Sequence, residues 1–352
     1  MQITIGSLFA CSALLATVAV AAPTSVKPNL IVFGNSLSDV GNTAALTGAP
    51  TYWNGRYSNS YVWNEYAAQI LGLNLANHAY GGATSNNELS PASAKNITIP
   101  AYRDQVASWI SANPNPSAYN LQNDLVGIEI GGNDILHRVT GLITGTVDVN
   151  EFASQLAASI AQDTQKLVSA GYKNIAIWNL PAVDKTPMVL SIGAGALISP
   201  IITAINSAVK TAVQPLPGVR LLDLNNLMDV ALQPAVLAAL GITDSTTACY
   251  VSDSAGKVTA CANPDQHLFA DGIHPASRLH YLWGTVAAVL ARSPTTVIDT
   301  AEALKLITTF NIGQSSRDNN IIADGGPATT ASYSTSSHVV PTYTTSALPK
   351  CY

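Results

Sequence analysis

The stretch NLIVFGNSLSDVGNT at residues 29–43 places an apolar run directly before a glycine and two closely spaced serines. The run at 30–33 is typical of a buried strand. A serine just past the end of such a strand, Ser36, would hold its hydroxyl at the edge of a sheet, with its own N–H near the start of a helix. Serine also caps helices, so this stretch by itself favours a cap at Ser36 or Ser38 over a nucleophile.

Four further apolar runs along the chain have the character of buried strands, the first of them faintly. They lie at 73–79, 125–130, 175–180 and 219–224. Helical patterns separate or follow them, at 61–71, 147–170, 199–213 and 278–291. This alternation predicts an α/β fold with three layers, flavodoxin-like, in which helices cover both faces of a parallel sheet of about five strands. In such sheets the chemistry lies at the carboxyl ends of the strands.

The composition excludes several kinds of partner and cofactor. Only 11% of the 352 residues are charged and the formal net charge is −5, so no basic stripe is present for nucleic acid. The four cysteines form no CxxC motif and no His/Cys cluster occurs, which argues against a structural zinc site. We therefore expect no nucleic acid, no metal and no other cofactor.

The first residues, 1–21, are typical of a signal peptide. The apolar stretch at 4–20 ends in small residues before Ala22 and Pro23, although Lys and Arg are missing from its start. It is short for a membrane span, and no basic stop-transfer segment follows. We expect cleavage near Ala21 or Ala22, a secreted extracellular protein and no stable membrane insertion. We also expect no later segment with the length and apolarity of a membrane-spanning helix.

Cysteine spacing predicts one disulfide. Cys249 and Cys261 lie twelve residues apart in a polar segment, and they can pair in an oxidising compartment. Closing a loop of that size stabilises a fold by about 3 kcal/mol in the chain-entropy description. Cys351, one residue from the C-terminus, is interpreted as a free or externally paired thiol.

The remaining organisation follows from sequons and composition. Asn96 begins an Asn-Ile-Thr sequon, which predicts N-glycosylation. The Ser/Thr-rich segment at 313–352 has few large apolar residues, so we expect a disordered or extended tail after a domain at 22–312.

Three further polar motifs follow predicted strands or lie on a late loop. Gly81 and Gly82, in AYGGAT, allow close backbone approach and offer an N–H donor. Asn133, in IGGND, offers a neutral carboxamide to a developing oxyanion. Asp271, three residues before His274 in DGIHP, can accept a hydrogen bond from that imidazole and leave its other nitrogen free. Each motif taken alone is equally ordinary turn chemistry.

The acids and amides beside these motifs have a structural interpretation. Asp39 and Asn42 follow Ser36 at helical spacing, and we expect them to fix the turn by hydrogen bonding. Asp134 is expected to orient the loop that carries Asn133.

Taken together, in the order Ser, Gly, Asn and Asp/His, the four motifs resemble the SGNH or GDSL hydrolase family over roughly 28–292. Finer features resemble the branch that contains plant GDSL lipases, secreted fungal acetyl esterases and bacterial acyltransferase-like proteins. These features are SLSDVGNT, GRYSN at 55–59, HAYGGAT and NPDQHLFADGIHP. The resemblance implies a cofactor-free serine esterase that works through an acyl-enzyme.

Carried onto this chain, the resemblance implies Ser36 as nucleophile, His274 as general base and then acid, and Asp271 as the carboxylate that orients the histidine. The implied oxyanion donors are the Ser36 N–H, the Gly82 N–H and the Asn133 side chain. The residues themselves leave Gly81 and Gly82 as alternatives, and the family pattern favours Gly82.

The chain departs from the family at Asn35, where the family has Asp. Asn keeps an acceptor oxygen and nearly the same shape but removes a charge. We interpret it as a tolerated local replacement that leaves the chemistry intact.

Several side chains are candidates for substrate contact. Tyr52, Trp53 and Tyr57 carry flat rings that stack well on sugars, and His137 lies near the predicted oxyanion loop. With the resemblance, they favour short acyl, chiefly acetyl, esters of carbohydrates as the small-molecule or oligosaccharide substrate. The alternatives are a lipase, phospholipase or acyltransferase, with 192–202 as a candidate lid, and a non-catalytic cell-surface binding module.

Overall fold

A five-stranded parallel sheet forms the centre of the computed structural model, which describes residues 28–114, 121–253, 258–319 and 321–322. The sheet order is β2-β1-β5-β6-β7. The strands, in chain order, are β1 (Asn29–Gly34), β2 (Asn74–Asn77), β3 (Ser93–Ala94), β4 (Ile97–Thr98), β5 (Leu125–Glu129), β6 (Asn174–Trp178), β7 (Val219–Leu222), β8 (Asp244–Ala248), β9 (Tyr250–Ser252), β10 (Val258–Ala260) and β11 (His267–Phe269). The predicted parallel sheet is confirmed.

Helices cover both faces of this sheet. They are α1 (Asn42–Thr47), α2 (Trp63–Leu71), α3 (Tyr102–Ala112), α4 (Gly132–Thr144), α5 (Val149–Ser169), α6 (Pro187–Ser191), α7 (Gly195–Val213), α8 (Leu224–Ala231), α9 (Pro234–Leu240), α10 (Ser277–Arg292) and α11 (Thr300–Thr309). Short 3-10 helices lie at Val183–Lys185, Pro264–Gln266 and Ile312–Gln314. The three-layer α/β/α fold predicted from the alternation of strands and helices is therefore confirmed.

Strand β1 shows how the two cores arise. Its side chains alternate, so Leu30 and Val32 pack into the core beneath α2 and α10, whereas Ile31 and Phe33 pack into the core beneath α3, α5 and α7. A strand buried on both faces is continuously apolar, which is why this run was visible in the sequence.

Close backbone contact sets the position of α10 on α2. A Cβ on Gly284 would lie 2.4 Å from the Trp63 carbonyl oxygen and 2.7 Å from the Tyr66 Cβ. Only glycine permits that approach, so α10 and the loop before it are held against the sheet at a fixed distance.

The predicted strands and helices are found with small shifts in their bounds. The expectation that no later segment has the length and apolarity of a membrane span is wrong. The strand expected at 73–79 is only Asn74–Asn77, because the chain then turns towards Gly81 and Gly82. Helix α7 is long and apolar enough to cross a membrane by length and composition, although no later helix of that kind was expected. It buries Ile198, Ile202 and Ile205 in the core.

The peripheral predictions have mixed outcomes. Cys249 and Cys261 form a disulfide, as predicted. Asn96 is exposed at the tip of the β3–β4 hairpin, and its glycosylation stays a prediction. The predicted signal peptide, Cys351 and the tail beyond 322 lie outside the described residues. Buried Ile322 belongs to the core, so packed structure continues into the start of the predicted tail.

The GRYSN segment is held by a buried ion pair. The Arg56 guanidinium contacts the Glu65 carboxylate at 2.5 Å, and both side chains are 1% exposed. Glu65 also accepts the Val62 N–H at the start of α2, and Arg56 lies over the rings of Trp53 and Tyr61. Each charge is thus paired and hydrogen-bonded, which is the condition for burying it.

We predict that Arg56→Ala lowers the free energy of unfolding by about 3–5 kcal/mol, because it leaves Glu65 buried without its partner. Urea unfolding measures the loss. The matched control is Lys305→Ala, which breaks an exposed pair with Glu302 and should change stability by no more than about 0.5 kcal/mol. Equal losses in the two variants would contradict this account of Arg56.

Candidate active site

Ser36 lies on the tight turn that follows β1. Ser38 and Asp39 each donate their N–H to the Asn35 carbonyl, at 3.0 Å. A Cβ on Gly34 would lie 2.3 Å from the Glu129 carbonyl oxygen, so glycine is required where the chain leaves the sheet.

The cap interpretation of these serines is wrong. The first helix begins only at Asn42, and its N-cap, Gly41, provides no side chain. Ser38 instead accepts a hydrogen bond from the Trp63 indole at 2.9 Å. Ser36 is therefore left to another partner.

That partner is His274, 238 residues away in sequence. The distance from Ser36 Oγ to His274 Nε2 is 2.7 Å, and the distance from His274 Nδ1 to Asp271 Oδ2 is also 2.7 Å. The structure thus brings together the three residues that the sequence suggested as a triad. An imidazole held in this way has one nitrogen oriented by a carboxylate and the other facing a hydroxyl.

The Asp271 carboxylate is held by donors on both oxygens. Oδ1 accepts the N–H groups of Ile273 and His274, at 2.8 and 2.7 Å. Oδ2 accepts the Tyr52 hydroxyl at 2.6 Å as well as His274. Burial raises the pKa of Asp271, but the charge and hydrogen bond of His274 and the Tyr52 hydroxyl outweigh it and lower this pKa to about 2. The carboxylate is therefore ionised at neutral pH.

Tyr52 was predicted to contact substrate, and its observed contacts are with the triad instead. Its ring stacks on Tyr250 at 4.7 Å, with 8° between the planes. Tyr250 follows Cys249 directly, so the disulfide to Cys261 anchors the segment that supports Tyr52. Sequence reasoning had no means to find this role, since Tyr52 and Asp271 are 219 residues apart.

The other three substrate candidates also lie outside the cavity beside Ser36. Trp53 is buried in the core against Tyr61. Tyr57 stacks on the His274 ring at 5.2 Å, which fixes the imidazole plane. His137 is exposed on α4. The rings of Trp53 and Tyr57 therefore serve core packing and support of the triad, respectively.

The candidate oxyanion donors come from two loops. Asn133, in the first turn of α4, donates one side-chain N–H to the Ala83 carbonyl at 2.8 Å, and its second N–H stays available. The Gly81 N–H is occupied by Asp39, at 2.8 Å. No described residue accepts the Gly82 N–H, so of the two glycines Gly82 is the one with a donor to offer.

Buried carboxylates tie the motif loops together, as expected for Asp39 and Asp134. Asp39 accepts the N–H groups of Gly41, and of Asn42 and Thr43 in the first turn of α1, as well as that of Gly81 in the next motif. Asp134 accepts the N–H and hydroxyl of Ser85 at 2.9 and 2.7 Å. Burial raises the pKa of Asp134 to about 6 in spite of these donors. Both carboxylates have positioning roles.

The Asn35 side chain also links two segments, the turn after β1 and the end of β5. Its side-chain oxygen accepts the Leu37 N–H at 2.9 Å, and its side chain also hydrogen-bonds the carboxyl of Glu129. Glu129 is 1% exposed, and burial raises its pKa to about 8 against the opposing Asn35 hydrogen bond. Sequence reasoning missed Glu129 because it ends an apolar strand; a lone charge in such a run was the available signal.

A cavity of about 60 Å³ opens beside these groups. Ser36, His274 and Asn133 line it, so nucleophile, base and oxyanion donor face the same space. Its apolar walls include Leu37, Leu136, Ala182, Val183, Met228 and Ile273. The arrangement can take a small acyl or alkyl group next to an activated hydroxyl.

The sequence is similar to a known protein family over most of the chain. The family model GDSL-like Lipase/Acylhydrolase matches residues 30–284, more than half of the 352 residues. The phosphatidylcholine-sterol acyltransferase of Aeromonas hydrophila is 25% identical over 276 residues, covering 75% of this chain and 78% of that protein.

Two other relatives align over shorter regions. The thermolabile hemolysin of Vibrio parahaemolyticus is 29% identical, covering 45% of this chain and 35% of that protein. The acetylesterase of Thermothelomyces thermophilus is 28% identical, covering 46% of this chain and 56% of that protein. The chain thus spans about a third and about half of these two relatives.

Among solved structures, a carbohydrate acetylesterase from Sinorhizobium meliloti matches at 15% identity and a TM-score of 0.43, covering 76% of this chain and 98% of that one. The extent of the family match, which includes Ser36, Asn133 and His274, shows that the chain belongs to the GDSL-like Lipase/Acylhydrolase family.

Proposed function

We propose that Ser36, His274 and Asp271 carry out ester hydrolysis through an acyl-enzyme. The unbroken relay of two 2.7 Å hydrogen bonds from Ser36 to Asp271 carries this proposal. His274 Nε2 takes the Ser36 proton as Oγ bonds to the ester carbonyl carbon. The negative charge that forms on the carbonyl oxygen is stabilised by the Asn133 amide and the N–H groups of Gly82 and Ser36.

Return of the proton from His274 completes acylation, and water then carries out deacylation. His274 gives its proton to the leaving alkoxide, the C–O bond breaks, and the acyl group stays on Ser36. A water then loses a proton to His274 and attacks the acyl carbonyl, and the acid leaves as Ser36 is reprotonated. Asp271 stays ionised throughout and stabilises the imidazolium.

For the substrate we propose short acyl, chiefly acetyl, esters of carbohydrates. Two observations support this class. The cavity has room for about four water-sized groups, and one relative is an acetylesterase. The aromatic residues that first suggested sugar stacking do not line the cavity, so the support now rests on cavity size and the relative. A secreted location is part of the same proposal.

A second candidate, a lipase or acyltransferase, is favoured by an exposed apolar patch near the cavity. Ile192 is 70% exposed and Leu197 56%, both within the candidate lid at 192–202, and Leu190, just before it, is 44% exposed. Met188 beside them bonds its N–H to the Gly272 carbonyl of the catalytic loop, at 2.8 Å. Such a patch suits contact with a lipid surface. A non-catalytic binding module is set aside, since the family is one of ester hydrolases.

The first test uses p-nitrophenyl acetate with wild type and Ser36→Ala. We expect kcat to fall by about 10⁴-fold or more, because the nucleophile is removed. Ser38→Ala, two residues away, is the matched control and should retain most activity. Equal rates in wild type and Ser36→Ala would reject the proposed nucleophile. An acyl series from acetate to palmitate, beside acetylated xylo-oligosaccharides, separates the two substrate classes.

Tyr52→Phe removes only the hydroxyl that Asp271 accepts and keeps the stacked ring. We expect kcat to fall about tenfold with KM unchanged, since a hydrogen bond to a charged group is lost. The pKa of Asp271 should rise from about 2 towards its ordinary 3.8, followed by carboxyl NMR. Because the folded-state pKa then lies closer to the unfolded value, Asp271 contributes less stability at neutral pH. The loss of that contribution as pH falls is therefore smaller and is complete at a higher pH than in wild type.

Tyr281→Phe is the matched control for Tyr52→Phe. It removes a buried hydroxyl bonded to the Phe310 carbonyl at 3.1 Å, away from the triad. It should move neither kcat nor the Asp271 titration. An unchanged Asp271 titration in Tyr52→Phe would contradict the positioning role.

Asn35→Asp restores the residue of the family motif, and we expect it to keep substantial activity at pH 7. Glu129, with its pKa raised to about 8, is protonated there and can share its proton with the introduced carboxylate. Since the unfolded chain ionises both carboxyls near pH 4, the folded variant loses stability as pH rises, and it should be less stable than wild type at pH 9.

Urea unfolding at pH 6 and pH 9 measures this change. The double variant Asn35→Asp with Glu129→Gln leaves a single carboxyl and should remove most of the additional alkaline loss. A collapse of kcat at pH 7 in a folded Asn35→Asp protein would show instead that the neutral amide is required.

A further inference from the structure

The floor of the catalytic cavity contains two buried polar atoms that have no hydrogen-bond partner among the described residues. Glu129 Oε2 and Trp283 Nε1 make no hydrogen bond within the described parts of the chain. Glu129 is 1% exposed and Trp283 2% exposed. Both residues line the cavity that Ser36 and His274 also line. Buried polar atoms are nearly always paired in folded proteins, so these two indicate a ligand that completes them.

The two residues arrive at the floor from different layers. Glu129 ends β5, where it pairs with Gly34 at the end of β1, and its carboxyl lies next to the Asn35 side chain, one residue before Ser36. Trp283 lies on α10, the helix that follows the His274 loop. A group bound between them would be fixed relative to both the serine and the histidine.

The chemistry of the pair selects the ligand group. The Trp283 indole is a donor only. Burial raises the pKa of Glu129 to about 8, with the Asn35 hydrogen bond opposing the rise, so the carboxyl keeps its proton at neutral pH. A hydroxyl satisfies both, because its oxygen has two lone pairs that accept the indole N–H and the carboxyl O–H. A hydrocarbon chain in the same place leaves both atoms unpaired.

We propose that Glu129 and Trp283 form a hydroxyl-binding subsite at the floor of the catalytic cavity, which selects esters that carry a hydroxyl on the group entering the cavity. The apolar walls, including Met228, Phe269 and Ile273, take the carbon chain of that group. The proposal rests on the proposed function, since it assigns a substrate class to the same cavity. The hydroxyl belongs either to the acyl chain or to the alcohol.

The test compares matched esters that differ by one hydroxyl. For the acyl side, p-nitrophenyl 3-hydroxybutyrate is compared with p-nitrophenyl butyrate. For the alcohol side, the 1-acetate of propane-1,3-diol is compared with propyl acetate. The quantity measured is the ratio of kcat/KM for the hydroxylated ester to that for the plain ester. We expect a ratio of about ten or more on one side, the effect of an added hydrogen bond.

Variants locate the source of this ratio. Trp283→Phe removes the indole N–H and should reduce the ratio to about one to three, and Glu129→Leu should do the same. Glu129→Gln keeps the shape and a donor and acceptor, so it should retain most of the ratio. Trp109→Phe is the matched control: its indole N–H donates to Tyr172 at 2.8 Å in the opposite core, and the ratio should stay at the wild-type value.

The measured kcat/KM ratios either support or overturn the subsite. A wild-type ratio above about ten that falls in Trp283→Phe supports the subsite, and the side on which it occurs identifies the source of the hydroxyl. Ratios near one on both sides mean that the floor holds water only, which overturns the proposal. A high ratio that survives in both Trp283→Phe and Glu129→Leu also overturns it.

A binding measurement separates this proposal from the proposed mechanism. Ser36→Ala is titrated calorimetrically with 3-hydroxybutyrate, butyrate, propane-1,3-diol and propan-1-ol. Tighter binding of one hydroxylated compound than of its plain partner, abolished by adding Trp283→Phe, supports the subsite even where ester turnover is not through Ser36. Equal binding within both pairs rejects the subsite and leaves the hydrolytic mechanism untouched.

Discussion

The site depends on one buried carboxylate, that of Asp39. It is fully buried, and a buried carboxylate is tolerated only where donors surround it. The N–H groups of Gly41 and of the first two residues of α1, together with the N–H of Gly81, supply them. These bonds join the turn that carries Ser36 to the glycine loop. Asp134 acts in the same way by joining Ser85 to the first turn of α4, which carries Asn133, so nucleophile and oxyanion donors are held as one unit.

The base reaches this unit from the other end of the chain. Helix α10, held closely on α2 at Gly284, fixes the loop that carries His274. Tyr57 packs on one face of the imidazole, and Tyr52, itself stacked on Tyr250, donates to Asp271. The disulfide between Cys249 and Cys261 anchors the segment that carries Tyr250. The triad is thus held by aromatic packing from a segment that follows the nucleophile in sequence.

Side chains with several possible roles were assigned to the wrong one by sequence reasoning. Tyr52 and Tyr57 resembled a sugar platform because an aromatic cluster near a nucleophile is compatible with both packing and binding. Trp53 is core, and the buried Arg56–Glu65 pair accounts for the charge in that segment. Glu129 and Trp283 were missed because one ends an apolar strand, where its lone charge was the available signal, and the other lies in an amphipathic helix. Their common position at one cavity is seen only in the tertiary structure.

The sequence by itself determined the order of strands and helices and the four polar motifs, because strand burial, helical periodicity and turn chemistry are local properties. It also suggested Ser36, Asp271 and His274 as partners through the resemblance of those motifs to a family. Only the tertiary structure decided that Ser36 and His274 are 2.7 Å apart, that Gly82 rather than Gly81 has a donor to offer, and that Tyr52 supports Asp271. Those facts depend on contacts between residues that are from 42 to 238 positions apart in the sequence. No local sequence pattern encodes such contacts.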